Sequence, residues 1–355
     1  MMVSPRADAH LRSGVVDEVS DDAPEWLDLV AEAPDATVFH LPAWAHALGE
    51  TYGFPTAVLA HRDATGRVVA GLPVARVRRL RGRVLVSLPF TDSCAPLARS
   101  AGSLGSLAAG LADWSHRQGI AVEVRGAVPA EASWTQAVVG VEHVLDLHDG
   151  PESLRGRFGA THRRWLRQAE RSGLRMRSGR SAAEMEAFYE LHVLTRRRQG
   201  VPVQPHRFFD AIWRRVVAPG HGVVLVAETA AGRAVAGVVL LASNRIAMVK
   251  FQASDEAAWE LRPNHLCYWA AIRWACDTGH RRLDFGRTET RHVGLQQWKA
   301  GWGGEAVPLT YAVTGGGSPD LGDGGVLEAA LGQVIRRSPA AVCRALGALL
   351  YRYTA

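Results

Sequence analysis

The chain has 355 residues, long enough for two domains of ordinary size and for a core that needs no disulfide staples. Lysine and arginine together number 41 against 35 acidic residues, a net charge of +6, which points to an anionic partner such as RNA, a nucleotide-sugar, a phosphorylated donor or an anionic membrane face. Cys94, Cys267, Cys276 and Cys343 form no CxxC pair and no metal-type spacing with histidine, which argues against a zinc site or any other metal site and for a reduced, cytoplasmic protein.

The opening residues, MMVSPRADAHLRSGVVDEVSDDAPEW, lack a basic patch followed by an apolar stretch, so no secretory leader is expected. No uninterrupted apolar run approaches the roughly 20 residues that span a bilayer. Further along, TAVLAHRDATGRVVAGLPVARV (56–77) reads as two strands joined at a turn containing Gly66, followed by a strand in VLVSLPF (84–90). A helical segment (103–119) and a short strand ending in glycine, IAVEVRG (120–126), complete the unit.

The same layout returns in the second half. VVLVAETAAGRAVAGVVLLAS (223–243) is a strand pair, IAMVKFQAS (246–254) a third strand, HLCYWAAIRWACDTG (265–279) a helix, and RRLDFG (281–286) a strand closed by glycine. Gly71 aligns with Gly237 at an offset of 166, and Gly126 with Gly286 at 160. Two tandem α/β units with mixed strand pairing are the economical reading. Their predicted extents are 15–150 and 151–313, with a flexible linker and a terminal amphipathic helix in 314–355; the linker is GGGSPDLGDGG (315–325) and the helix 326–352. Between the units, 151–174 predicts one helix with Leu154, Phe158, Trp165, Leu166 and Ala169 on its apolar face and a crowd of basic side chains elsewhere.

DFGRTETRHVGLQQWKAGWGG (284–304) opens like a kinase signature, but the Gly-rich loop, strand lysine and HRD loop that a kinase needs are missing. Gly286 instead reads as the end of a strand where the backbone turns or approaches a ligand. Asp284, Arg287, Thr288, Glu289 and Arg291 then lie beyond the carboxyl end of a strand, where α/β sheets bind ligands. Only two of the 41 basic residues counted above are lysine, Lys250 and Lys299, and the second falls in this stretch.

Taken with RRWLRQAERSGL, LTRRRQGVPVQP, RPNHLCYWAAIRWACDTG and, in the first half, VFHLPAWAHALGETYGF and LVSLPFTDSCAPL, this stretch resembles the Fem-type (FemAB-like) branch of the GNAT acyltransferase superfamily over about residues 38–313. The resemblance implies two tandem GNAT-like domains and an aminoacyl-tRNA-dependent acyltransferase that forms an amide on an amine of a peptidoglycan precursor or a small-molecule natural-product intermediate. Aminoacyl-tRNA would be a co-substrate, with no resident cofactor. Acyl-CoA-dependent members carry a glycine-containing turn before the helix that here begins HLCYW, whereas this chain has LRPNHL, with a proline that donates no N–H and no glycine. An acyl-CoA-dependent N-acyltransferase of polysaccharide biosynthesis is the first alternative, and a non-catalytic binding or assembly module the second. The coiled coil that some Fem-type enzymes insert is absent, because no sustained heptad run occurs.

GLQQWK matches the GLxxFK motif of Fem-type proteins, and the resemblance implies that Lys299 faces the transfer site as a compact point charge over the developing oxyanion or the donor phosphate. No general base is obvious: Asp284 is the best carboxylate in the motif and Glu289 the next, or the acceptor or donor assists its own deprotonation and no protein base exists. Arg197 and Arg198 are expected to contact the acceptor, because guanidinium forks suit carboxylates and phosphates. Arg287, Asn264, Tyr268, Trp298 and Lys250 complete the substrate-binding set, while His265 and His292 read as structural. Arg155, Arg157, Arg163, Arg164, Arg167 and Arg171 are expected to track tRNA phosphates.

Overall fold

The protein is represented by a computed structural model that describes residues 15–79, 82–130, 133–316, 319 and 326–351. The first half contains β1 (Val16–Val19), α1 (Pro24–Glu32), α2 (Pro42–Tyr52), β2 (Thr56–Arg62), β3 (Val68–Arg79), β4 (Gly82–Val86), β5 (Leu97–Ala98), α3 (Ala101–Gln118), β6 (Ala121–Val124) and β7 (Thr135–Asp146). The connection runs through α4 (Gly150–Arg157), α5 (Ala160–Arg171), β8 (Arg175–Gly179), α6 (Ala182–Gln199) and α7 (His206–Ile212). The second half follows with β9 (Gly222–Glu228), β10 (Ala234–Ser243), β11 (Ile246–Ser254), α8 (Pro263–Asp277), β12 (Arg282–Asp284), α9 (Val293–Ala300) and β13 (Glu305–Thr314), then α10 (Val326–Arg337) and α11 (Ala340–Leu350).

The internal repeat is a repeat of topology. In each half an antiparallel meander (β2–β3–β4; β9–β10–β11) is followed by a helix (α3; α8) that returns the chain to a strand parallel to the last one (β6 beside β4; β12 beside β11). The glycines that mark the repeat have a packing cause. A Cβ on Gly71 would lie 2.9 Å from the Trp26 ring, and one on Gly237 would lie 3.1 Å from the Phe188 ring, so each bare strand position admits an aromatic side chain of a covering helix.

The strand that closes each half does not lie on its own sheet. β7, from the first half, pairs antiparallel with β12, while β13, from the second, pairs antiparallel with β6 and β7. The described strands therefore form one sheet in the order β1-β2-β3-β4-β6-β13-β7-β12-β11-β10-β9-β8, with β5 beside β3. The α/β class with mixed pairing is as expected; the two units share one sheet. Neither exchanged strand was predicted.

The core is continuous across the halves as well. Phe39, Trp44 and Leu48 of the first half share one buried cluster with Phe208, Phe209, Ile212 and Val239 of the second, and Trp44 meets Phe208 edge-on with ring centroids 5.8 Å apart. A second cluster on α8 joins Phe158, Leu166, Tyr268, Trp269 and Trp302.

Two expected helices are each broken in two. The one predicted over 151–174 ends at Phe158 and restarts after Gly159, both with extended backbone. The break lets Phe158 turn into the core, edge-on to Trp302 at 5.0 Å, and lets the Gly159 N–H donate to the Gly301 carbonyl at 2.8 Å. The terminal helix breaks at Ser338–Pro339, as a proline without a donor N–H requires. Cys343, Gly347 and Tyr351 of this segment are buried, and Arg344 pairs with Glu190 of α6 at 2.6 Å, so the segment packs on the body of the protein. The linker expected over 315–325 lies outside the described residues except for Gly315, Gly316 and Pro319.

Strand exchange makes each half incomplete alone, because each would lack an inner strand and expose a long edge. A chain cut between Asp149 and Gly150 is expected to yield two pieces that copurify one to one when co-expressed and melt together. Either piece expressed alone is expected to give no cooperative melt; a monomeric, cooperatively melting half would contradict this.

Candidate active site

Strand β12 alternates its side chains between the two faces of the sheet, so Leu283 enters the α8 core while Asp284 points to the other side, 8 % exposed. The Asp284 carboxylate accepts the Gly286 N–H at 2.8 Å. Gly286 has φ +75°, a left-handed turn that glycine adopts without strain. The turn is stitched down on two sides. Thr288 and Val141 of β7 exchange backbone N–H···O bonds of 2.8 Å, and Lys299 of α9 donates its ammonium to the carbonyls of Gly286 at 2.6 Å and Arg287 at 3.3 Å. Gly140 allows the first contact, since a Cβ there would lie 2.6 Å from the Thr288 oxygen.

Lys250, the chain's other lysine, reaches the same region from β11. The pairing of β10 with β11 steps from Val239–Phe251 to Leu240–Val249 and leaves Lys250 as the extra residue of a β-bulge. Its ammonium bonds Asp92 at 3.0 Å and lies 5.2 Å from the Phe39 ring centroid and 5.6 Å from that of Phe251. Asp92 belongs to the loop after β4, in which two non-glycine residues, Leu88 (φ +58°) and Phe90 (φ +61°), hold left-handed backbone. Such strain costs of the order of 1–2 kcal/mol per residue and concentrates at functional sites. Across the halves, the Tyr311 hydroxyl of β13 donates to the Asp92 carbonyl at 2.8 Å.

Glu142 completes the group. Asp284 lies opposite Val144 in the β12–β7 pair, so Glu142, two residues along β7, is on the same face and diagonal to it. Its Oε1 is shielded and has no hydrogen-bond partner among the described residues.

Three carboxyls and two ammonium groups thus share one enclosed region, Asp92 and Glu142 from the first half and Lys250, Asp284 and Lys299 from the second. Burial, followed by the charge of Asp92, pushes Asp284 up to about 6. Burial and then the charges of Asp284 and Asp92 push Glu142 up to about 8, against the pull of both lysines. Burial holds Lys299 down to about 8, opposed by the same carboxylates. Carboxyls separated in this way can take different protonation states at neutral pH, the arrangement an acid–base pair needs.

The structure disperses several residues that the sequence grouped. Lys299 stays with Asp284, 4 % exposed, but several others do not gather around them. Arg287 lies beside the cluster with its guanidinium 5.6 Å from the Tyr311 ring and a bond to the Val139 carbonyl at 3.3 Å. Glu289 pairs with Arg291 at 2.7 Å on an exposed turn. Tyr268 is core, its hydroxyl donating to Gln252 at 3.1 Å. Arg198 lies 4.5 Å from the Trp259 ring and donates to the Ser254 carbonyl at 3.1 Å; Arg197 is its neighbour at the same end of α6. Asn264 and Trp298 line a separate groove at the start of α8.

Of the six arginines expected to track phosphates, three are engaged within the protein. Arg155 pairs with Glu170 at 2.7 Å, Arg157 with Asp149 at 3.0 Å, and Arg163 bonds the Gly156 carbonyl at 3.0 Å and that of Phe158. Arg164, Arg167 and Arg171 line an open groove on α5. Asp92 and Glu142 were missed by sequence reasoning. Asp92 stands in the quoted LPFTDSC and Glu142 in a strand whose partners come from the other half, so only the resemblance offered a signal for the first and nothing local marked the second.

Residues 156–300 match the family model of the acetyltransferase (GNAT) domain. The fold is shared with the crystal structure of FemX, at 13 % identity and TM-score 0.67, covering 84 % of this chain and 96 % of that one. It is shared as well with L-PGS from Bacillus licheniformis (13 % identity, TM-score 0.55, 90 % of this chain and 99 % of that one). A third likeness is to a structure named as the C-terminal domain of a "Putative Lysylphosphatidylglycerol Synthetase" from Agrobacterium fabrum (14 % identity, TM-score 0.55, 81 % of this chain and 90 % of that one). No curated protein matches the sequence. Among the described residues, no helix is long and apolar enough to cross a membrane.

A carboxyl that binds its proton more tightly when folded than when unfolded stabilises the fold at low pH and loses that contribution as pH rises through its folded value. For Glu142 the window runs from about 4.5 to about 8. Glu142→Gln is therefore expected to raise the melting temperature above wild type at about pH 8.5, by a few degrees, with the gap closing towards about pH 5. Thermal melts across pH check this, and a gap independent of pH would contradict it.

Proposed function

We propose that this protein is an acyltransferase that moves an aminoacyl group from the 3′ ester of a tRNA to an amine of a small acceptor, a cell-wall precursor or natural-product intermediate. The observation that carries this reading is the enclosed cluster of three carboxyls and both lysines, built from the two halves together.

Aminolysis of an ester needs a neutral amine, charge at the developing oxyanion and a proton for the leaving oxygen. Asp284, ionised near neutrality, takes the proton from the acceptor's ammonium group. The freed amine attacks the ester carbonyl, forming the C–N bond. Lys299 has three N–H groups and directs two at the backbone, so the third can meet the oxyanion. As the C–O bond to the tRNA breaks, protonated Glu142 gives its proton to the leaving oxygen, and its carboxylate then takes the second proton from the nitrogen, which leaves a neutral amide. The ribose hydroxyl departs, Glu142 is protonated again, and Asp284 releases its proton to solvent. Lys250 and Asp92 hold the acceptor side of the cluster near charge balance.

The absence of glycine before α8 supports tRNA over CoA. Pro263 opens that helix and Arg262 precedes it with φ +58°, so the first turn lacks one of the N–H donors that a glycine loop offers to pyrophosphate. Two of the proteins sharing the fold bear names that refer to a lysyl-lipid product or its abbreviation, in keeping with an aminoacyl donor. The match of residues 156–300 to an acetyltransferase domain favours the second reading, an acyl-CoA-dependent N-acyltransferase.

Purified protein incubated with tRNA charged with labelled amino acids and a fraction of small amine acceptors is expected to form a labelled amide, which ribonuclease pretreatment abolishes. Lys299→Met is expected to lower the rate by about 10²–10³-fold, the usual cost of one oxyanion donor. Product that survives ribonuclease and requires acetyl-CoA would replace the tRNA donor with CoA.

A further inference from the structure

The start of α8 lies beside a groove that the transfer chemistry does not use. Its walls are the indoles of Trp165, Trp259 and Trp298, with Arg262, Asn264 and His265 between them. Trp259 is 43 % exposed although Arg198 lies 4.5 Å from its ring, and Trp165 has the Arg262 guanidinium 4.8 Å from its ring. His265 is 5 % exposed, and among the described residues its Nε2 has no hydrogen-bond partner, nor have Asn264 Oδ1 and Arg262 Nε. Unpaired polar atoms beside half-exposed indoles suit a flat heterocycle that stacks and accepts or donates hydrogen bonds.

A second groove adjoins the first. It is lined by Arg164, Arg167, Arg171 and Gln168 of α5, with Glu260 and Leu261, which follow Trp259 and precede Arg262 in the chain. The two grooves share α5, which gives Trp165 to one and the three arginines to the other. Glu260 is the single acidic side chain among the lining residues, so positive charge dominates. An arginine track leading to an aromatic platform is how single-stranded nucleic acid is held without base pairing: backbone phosphates meet the cations, and bases stack on the rings.

We infer that these joined grooves bind the unpaired 3′ end of an RNA, with its phosphates on Arg164, Arg167 and Arg171 and a base among Trp165, Trp259 and Trp298. The inference rests on the tRNA-donor reading, narrows it to three of the six arginines, and joins to Trp298 two further indoles, Trp165 and Trp259, that the sequence did not mark for binding. The placement also fits the direction of α9, in which Trp298 lines the base groove while the next residue, Lys299, reaches the carboxyl cluster. A terminal base held by Trp298 would present its ribose ester towards that cluster. The same nucleotide chemistry occurs in CoA, which carries an adenine beside phosphate.

The test is equilibrium binding of an uncharged single-stranded ACCA oligonucleotide and, separately, of CoA to the intact protein, followed by tryptophan fluorescence. Saturable ACCA binding is expected, weakening with added salt. Trp259→Ala is expected to weaken it about 10-fold, in the range of one stacked base, and Trp259→Phe to recover most of it. Arg167→Glu combined with Arg171→Glu is expected to weaken binding further and to flatten the salt dependence. CoA binding that depends on Trp259, with no ACCA binding, would overturn the inference and make the groove a CoA nucleotide site. ACCA binding unchanged in all these variants would overturn it too. Because the oligonucleotide carries no aminoacyl group, binding without transfer activity would sink the catalytic reading and leave this one standing. Transfer that the groove variants leave untouched would do the reverse.

Discussion

The exchange of β7 and β13 between the halves is the constraint on which the rest of the molecule depends. If each half closed its own sheet, Glu142 would have no reason to lie across from Asp284, and the turn at Gly286 would lose its backbone bonds to Val141. Because β7 crosses over, it becomes the floor beside β12. Because β13 crosses the other way, its Tyr311 can hold the strained loop carrying Asp92. The proposed site is therefore a property of the joined sheet, and neither half contains it.

Bringing five ionisable groups into one enclosed space is unfavourable unless they compensate one another. Here three carboxyls face two ammonium groups, and the imbalance is absorbed by proton uptake, since Glu142 and Asp284 hold their protons to higher pH; burial acts the other way on Lys299, whose proton the carboxylates help to retain. The two left-handed residues before Asp92 add to the cost. The shared aromatic core offsets it, since Phe39, Trp44 and Phe208 pack across the same boundary that the cluster occupies. The stability of the boundary thus comes from apolar burial and its reactivity from charge, on adjoining surfaces of the same elements.

Much of this was legible in the sequence where the signal is local. Short β-branched runs marked β2, β3, β9, β10 and β11, and the glycine pair Gly71 and Gly237 revealed the repeat because each position must admit a ring from a covering helix. Asp284 and Lys299, which the structure brings into one cluster, were pointed to by a motif that occupies one continuous turn and helix. Three kinds of feature escaped. The exchange of strands is a long-range pairing, and TQAVVGVEHVLD carries the same pattern whichever sheet it joins. The bulge at Lys250 depends on the length of the facing strand. The break at Phe158 arises from the approach of the turn at Gly301, more than 140 residues away in the chain. Arginine content alone likewise could not separate Arg155 and Arg157, committed to nearby carboxylates, from Arg164, Arg167 and Arg171, which line an open groove.

The central claim is that a proton relay across the boundary between the halves drives the transfer, with Asp284 as base and Glu142 as acid. The most direct measurement is the pH dependence of the transfer rate in wild type and in Glu142→Gln. The account predicts a wild-type rate that rises as Asp284 ionises near pH 6 and falls as Glu142 and Lys299 lose their protons near pH 8. In the variant, which keeps the shape of the side chain but has no proton to give, the rate at the optimum should drop by about 10²-fold or more. A Glu142→Gln protein with the wild-type rate and the wild-type profile would contradict it.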